Sequence, residues 1–179
     1  MNVKHIEKLL SSYMSVKLDW VAYAFLNSDE PYSKNIIDIC DHYIIFLICW
    51  NPGSTSLIHE FFNRSCFMKV LKGCICDSVY SGENASKIIS QNKYELNMVG
   101  FFENSKESHI LSNASKKEEA ISCHVFSAHF ITKARQTRSQ MVKTESNFYS
   151  KNGRLLRCIN VLRLPKRTLM KKRTGSSDF

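Results

Sequence analysis

The sequence predicts an all-β domain behind a short helical N-terminus. Two observations carry the prediction. Short apolar segments recur at close intervals from Tyr43 to Leu162, and turn signals separate them: Asn51-Pro52-Gly53, Leu71-Lys72-Gly73, Ser81-Gly82-Glu83-Asn84 and Ser112 to Glu119. That spacing belongs to a sandwich or barrel. The chain has 179 residues, 44% of them hydrophobic, enough for one sizeable core and too few for two ordinary domains. Six Gly and three Pro are few for tight turns, so Asn and Ser must take many turn positions.

In order along the chain, Val3, Ile6, Leu10 and Tyr13 fall near helical spacing and predict an amphipathic helix ending around Ser15. Trp20, Tyr23, Ala24 and Phe25 predict a second helical turn. Pro31 breaks any helix, and the strand pattern is read from Ile36 onward. Strands are expected at Tyr43 to Trp50, Ser56 to Phe62, Cys66 to Leu71, Cys74 to Tyr80, Lys87 to Ser90, Leu96 to Phe102, Ser108 to Leu111, Ala120 to Phe126 and Leu155 to Leu162. Lys133 to Ser146 alternates basic and polar residues and reads as a loop.

The formal charge of +9 is unevenly distributed. Residues 1–132 hold 12 Lys and Arg against 14 Asp and Glu, whereas residues 133–179 hold 13 against 2. A near-neutral body therefore carries a basic arm, which could meet nucleic acid or an acidic partner. Seven cysteines, with no apolar leader among the first residues, predict reduced thiols in the cytoplasm. Cys74 and Cys76 have no second pair to complete a zinc site and are read as small buried residues. The longest apolar run, Tyr43 to Trp50, is too short for a membrane-spanning helix. No membrane association is expected, and the chain is read as a monomer.

One stretch is more specific than the rest. From Gly53 through His59, Phe61 and Cys66 to Gly73 the spacing is G-x5-H-x-F-x4-C-x6-G. It resembles the first motif of the cupins, G-x5-H-x-H, with cysteine in the later acidic position, as in the mammalian-type cysteine dioxygenases. Further segments agree in order: Trp20 to Tyr23; Pro31-Tyr32-Ser33-Lys34-Asn35, similar to that family's Tyr-x-Arg-Asn; His109 to Asn113, with the H-x3-N spacing of the second motif; Ala120 to Ser127; and Phe148 to Gly153. The resemblance covers about Asp19 to Gly153. It implies a jelly-roll cupin β-barrel over residues 19–153, between the helical N-terminus of residues 1–18 and a basic extension over 154–179.

The resemblance also implies chemistry. In this family ferrous iron on three histidines binds L-cysteine, and dioxygen converts the thiol to a sulfinate, a step of cysteine catabolism. His59 matches the first metal ligand and His109 the third, but Phe61 stands where the second histidine would be. Strand alternation puts residues 59 and 61 on one face and Glu60 on the other, so Glu60 is not a replacement. Tyr32 and Lys34 match the substrate-binding pair, with Lys34 in place of arginine: the charge stays and the planar fork is lost. Cys66 and His124 match residues beside the reacting centre, and Phe126 takes the place of the tyrosine that a cysteine can be crosslinked to. The changes at Phe61, Phe126 and Lys34 together weigh against full activity. Three readings follow: a thiol dioxygenase using Fe(II), L-cysteine and O2; a catalytically inactive cupin scaffold or thiol-binding protein; and a binding module working through its basic tail.

Overall fold

The computed structural model describes residues 3–40, 42–60, 65–81, 87–103, 107–127, 148–150 and 155–156. Helix α1 (Val3–Ser12) and a single turn α2 (Lys17–Trp20), continued by a 3-10 turn at Val21–Tyr23, precede eleven strands among the described residues. These are β1 (Tyr32–Ile39), β2 (Tyr43–Trp50), β3 (His59–Glu60), β4 (Ser65–Lys72), β5 (Ile75–Ser81), β6 (Lys87–Tyr94), β7 (Val99–Glu103), β8 (Ser108–Asn113), β9 (Ala120–Ser127), β10 (Phe148–Tyr149) and β11 (Leu155–Leu156). They form a seven-stranded sheet, ordered β11-β10-β1-β2-β9-β4-β7, and a four-stranded sheet, ordered β3-β8-β5-β6. This is the all-β cupin architecture that the sequence predicts, with the two sheets facing each other and not closed into one ring.

The large sheet buries both faces. Toward the small sheet it presents Phe46, Ile48, Trp50, Cys66, Met68, Val70, Phe102 and Ala120, which pack with Ile75 and Leu111. On its back, Leu47, Cys49, Leu71 and Ile121 are covered by Trp20, Tyr13 and Tyr23 from the N-terminal segment. This two-sided burial is why β2 reads as an uninterrupted apolar run. The N-terminal segment is fastened by polar contacts as well. Trp20 Nε1 donates to Ser15 Oγ (3.0 Å), Ser15 Oγ donates to the Leu71 carbonyl (2.7 Å), and the Ser15 N–H donates to Asn97 Oδ1 (2.7 Å). The fully buried Lys69 ends on the Asn97 carbonyl at 2.8 Å.

Several elements differ from expectation. β1 starts directly after Pro31, earlier than its pattern shows, since its buried positions Ser33 and Asn35 are polar and break the apolar alternation. Those groups bind the preceding loop: Ser33 Oγ accepts the Asn27 N–H (2.7 Å), and Asn35 Nδ2 donates to the Phe25 carbonyl (2.9 Å). The strand expected over Ser56 to Phe62 is reduced to His59–Glu60 among the described residues. Ser56 Oγ takes up the Leu111 N–H instead (3.0 Å), and Leu57 is 71% exposed. β6 extends to Tyr94 as an edge strand exposed along nearly its whole length, so it has no buried face to read. Leu96 lies outside β7, whose approach turns at Asn97 with φ of 70°. Cys74 and Cys76 are half-buried rather than buried. Phe61, Cys158, the loop expected over 133–146 and all but the first two residues of the strand expected over 155–162 lie outside the described residues, as does most of the basic extension.

Gly73, the last residue of the first motif, has φ of +74°, and a Cβ there would meet Ala120 Cβ at 3.0 Å and the Glu119 carbonyl at 3.2 Å. The β4–β5 turn therefore needs glycine for both its backbone and the closeness of β9. Among the described residues, no helix is long and apolar enough to cross a membrane.

Candidate metal and thiol site

The small sheet brings His59 and His109 together. β3 and β8 run antiparallel with these two residues as direct partners, so their side chains leave the sheet on one face, while the exposed Glu60 takes the other. His59 is half-buried, and its Nδ1 lies 3.0 Å from the Leu57 carbonyl and 3.5 Å from Ser56 Oγ. A carbonyl only accepts, so Nδ1 carries the proton and Nε2 the lone pair in the neutral ring. Burial pushes the His59 pKa down, opposed by the hydrogen bond to the Leu57 carbonyl and reinforced by the nearby Lys34 charge.

His109 is 6% exposed and its Nδ1 lies 3.0 Å from Oδ1 of Asp77, itself 1% exposed. The same argument puts the proton on Nδ1, facing the Asp77 carboxylate. Phe102 meets the ring edge-on at a centroid distance of 5.8 Å. A cavity of about 260 Å³ reaches Asp77 and His109 between β6 and β7, past Tyr94, Phe102, Glu103 and Glu107.

The facing wall belongs to the large sheet. Ser122, His124 and Phe126 alternate along β9 and face inward. Trp50 Nε1 lies 2.9 Å from Ser122 Oγ, which lies 2.9 Å from His124 Nε2; His124 Nδ1 is 3.9 Å from Cys66 Sγ, which is 3.4 Å from the Phe67 carbonyl. The directions can be assigned from the two ends. An indole N–H only donates, so Ser122 Oγ accepts it, and the Cys66 thiol gives its proton to the Phe67 carbonyl. The sulfur is then left to accept from His124 Nδ1, and the neutral imidazole takes the Ser122 hydroxyl proton at Nε2. Burial holds the whole chain of groups neutral: it pushes His124 down to about 3 and the Cys66 thiol well above its ordinary range. Phe46 stacks on both His124 (5.4 Å, 7°) and Phe126 (5.6 Å, 13°).

Cys66 and Phe126 are direct cross-strand partners, so position 126 is beside the thiol, but its ring carries no hydroxyl to reach it. Tyr32 and Lys34 lie on the inward face of β1, half-buried, with Lys34 Nζ 5.7 Å from the centre of the Tyr32 ring. Burial raises the Tyr32 pKa, with a hydrogen bond to the Leu57 backbone opposing it.

The structure thus gathers Tyr32, Lys34, His59, Cys66, His109, His124 and Phe126 on the two inner faces; Phe61 lies outside the described residues. Sequence reasoning missed Asp77, Ser122 and Trp50. Ser122 had a readable signal, since Ser-x-His-x-Phe on a strand places all three on one face. Asp77 had none, because a carboxylate within Cys-x-Cys-Asp reads as a solvent position.

The donor set can be tested against ferrous iron. Two imidazoles on neighbouring strands, each with its Nδ1 proton tied to an oxygen, suit Fe(II) as a pair of Nε2 donors. Among the described residues no group of three or more His, Cys, Asp or Glu could hold a metal ion, and the sequence offers Phe61 at the position between. The described residues thus offer two imidazoles and no third ligand.

A model of the family described as cysteine dioxygenase type I matches residues 1–139. Cysteine dioxygenase type 1 of Danio rerio is 27% identical over 135 residues, covering 72% of this chain and 67% of its own. The Homo sapiens protein of that name is 26% identical over 159 residues, covering 85% and 79%. Among solved structures, TT1209 from Thermus thermophilus superposes with a TM-score of 0.51 at 18% identity, over 64% of this chain and 97% of its own. The Schizosaccharomyces pombe Cnp3 cupin domain gives 0.50 at 11%, over 68% and 80%. These two likenesses concern the fold alone.

Proposed function

Because the chain belongs to the cysteine dioxygenase type I family, we propose that it is a thiol-oxidising cupin of reduced activity, taking L-cysteine or a close relative as substrate and O2 as oxidant. The observation that carries this reading is the cross-strand pair His59 and His109, each with its Nδ1 against an oxygen acceptor. His59 and His109 would hold the metal. Ferrous iron, when bound, supplies the redox centre that joins a thiol sulfur to dioxygen. In the net reaction RSH + O2 gives RSO2H: two oxygen atoms add to sulfur, which loses the four electrons that dioxygen gains.

The protein's own groups bind and orient. Lys34 offers one cationic point contact to a substrate carboxylate, with Tyr32 beside it. Phe46 and Phe126 wall off water on the side of Cys66 and His124. The Trp50–Ser122–His124–Cys66 chain is neutral and internally satisfied, so it fixes side chains and holds its protons in place. The free state of all six described cysteines suits a reducing compartment such as the cytoplasm.

A second reading, a thiol-binding scaffold without turnover, is favoured by Phe126, which leaves no hydroxyl opposite Cys66. One experiment separates the two. Purified protein reconstituted with Fe(II) under argon is assayed for bound iron, then for sulfinate after L-cysteine and O2 are added. Bound iron with slow sulfinate formation supports the dioxygenase; thiol binding with no sulfinate supports the scaffold.

A further inference from the structure

The two sheets stop short of each other on one side. β6 is the edge of the small sheet and β7 the edge of the large one, and the cavity of about 260 Å³ opens between them. Register decides what faces it. Asn92 pairs with Asp77, Ser90 with Val79 and Tyr94 with Ile75, so Ser90, Asn92 and Tyr94 leave β6 on the face that Asp77 shares. All of these but Ile75 line the cavity, together with Phe102 of β7.

The inner face of a sheet is ordinarily apolar, and this one is polar with its polar groups unspent. Asp77 Oδ1 accepts from His109 Nδ1 at 3.0 Å. Among the described residues, Asp77 Oδ2, the Asn92 amide and the hydroxyls of Ser90 and Tyr94 make no hydrogen bond. Asp77 is 1% exposed and lines the cavity, so Oδ2 is a buried acceptor aimed into it, at a place where an unmatched polar group is costly. The charge there is of one sign. Glu103 and Glu107, both exposed, also line the cavity, and no lysine or arginine is among its described lining residues. The rings of Tyr94 and Phe102, 6.2 Å apart and tilted by 59°, supply an aromatic wall.

We infer that this cavity is a binding site for a small primary ammonium, held by Asp77 Oδ2 and the Asn92 amide oxygen, with its alkyl stem along Tyr94 and Phe102. An ammonium has three donors and no acceptor, which is what a set of unused acceptors requires. The aromatic wall adds an attraction for the cation and an apolar surface for the stem. A neutral alcohol would leave the carboxylate without a countercharge, and an anion would be repelled by it. The cavity is smaller than the pockets that take drug-sized ligands and suits a short amine. The site needs no metal, so it stands whether or not iron binds.

The test titrates the full chain, metal-free and at neutral pH, with n-butylamine, 1-butanol and butyrate. Calorimetry gives the affinities, and nitrogen-15 NMR of the Asn92 side-chain amide gives the location. The expected result is saturable binding of n-butylamine alone, with the Asn92 signal moving along the titration. Asp77→Asn keeps the shape and removes the charge, and should weaken n-butylamine roughly 10- to 100-fold. Asn92→Leu, at an exposed edge position, puts an apolar side chain into the cavity and should abolish binding. No saturable binding of n-butylamine by wild type, equal affinity for 1-butanol, or unchanged affinity in Asp77→Asn would overturn the inference. Should Asp77→Asn fail to fold, wild-type affinity in Asn92→Leu would overturn it equally, as would saturation that leaves the Asn92 signal of wild type in place.

Discussion

Ser122→Ala removes one oxygen and orphans two buried groups. Ser122 is fully buried, as is Trp50, whose indole N–H has Ser122 Oγ as its acceptor at 2.9 Å; His124, 2% exposed, has the same oxygen as the donor to Nε2, also at 2.9 Å. The space left by a hydroxyl is too small to admit a water, so no substitute partner arrives. Each orphaned group costs about 1–3 kcal/mol. The sum at the lower half of that range is about 2–4 kcal/mol, and with a urea m-value of about 2 kcal/mol/M it moves the unfolding midpoint down by about 1–2 M. The assay is urea denaturation followed by tryptophan fluorescence and circular dichroism together. His124→Phe, which can keep the stack on Phe46, completes a double-mutant cycle: the cost of Ser122→Ala should fall in that background by about 0.5–3 kcal/mol. A Ser122→Ala loss below about 0.5 kcal/mol, or no coupling to position 124, would refute the two buried hydrogen bonds assigned to Ser122.

Three further outcomes are expected. Burial holds His124 at about 3, so between the ordinary value of 6.5 and that pH the unfolded chain takes a proton the folded chain refuses. Stability should therefore be full above about pH 6.5 and fall on acidification by up to about 1.4 kcal/mol per unit. His59 adds to the same trend, and a His124→Gln slope identical to wild type in urea melts at stepped pH would contradict the assignment. Gly73→Ala should destabilise by about 1–3 kcal/mol, more than Gly53→Ala, because Gly53 shares the left-handed backbone but an added methyl carbon there meets nothing nearer than Lys116 Cγ at 3.7 Å; equal midpoint shifts would remove the packing half of the argument. Lys34→Arg should tighten L-cysteine binding roughly tenfold by restoring a two-pronged carboxylate contact, while leaving cysteamine, which has no carboxylate, unchanged in calorimetry.

How much of this was legible in the sequence depended on what each residue hides behind. β2, β4 and β9 were readable because the large sheet is buried on both sides, so Phe46, Leu47, Ile48 and Cys49 are all apolar. β1 was obscured because Ser33 and Asn35 are buried to serve the loop before them, and β6 because an exposed edge strand needs no apolar alternation. His59 and His109 stood out by motif spacing. Their direct pairing did not, since the register between β3 and β8 is a property of the sheet topology. Asp77 was invisible for the same reason: its meaning is a diagonal contact to a strand that comes later in the chain.

The β1 strand has one neighbour close by and one far away along the chain. Lys34 pairs with Ile48 across a hairpin on one side and with Phe148, in parallel, on the other, while the Tyr149 hydroxyl latches to Glu30 and Asn27. Synthesis delivers these partners at very different times. Until Phe148 and Tyr149 have emerged from the ribosome, the strand that carries Tyr32 and Lys34 is an open edge, with a row of unpaired N–H and C=O groups able to accept a foreign strand. Completion of that wall thus waits until more than a hundred residues have followed β1, and a chain stalled before residue 148 keeps that edge open.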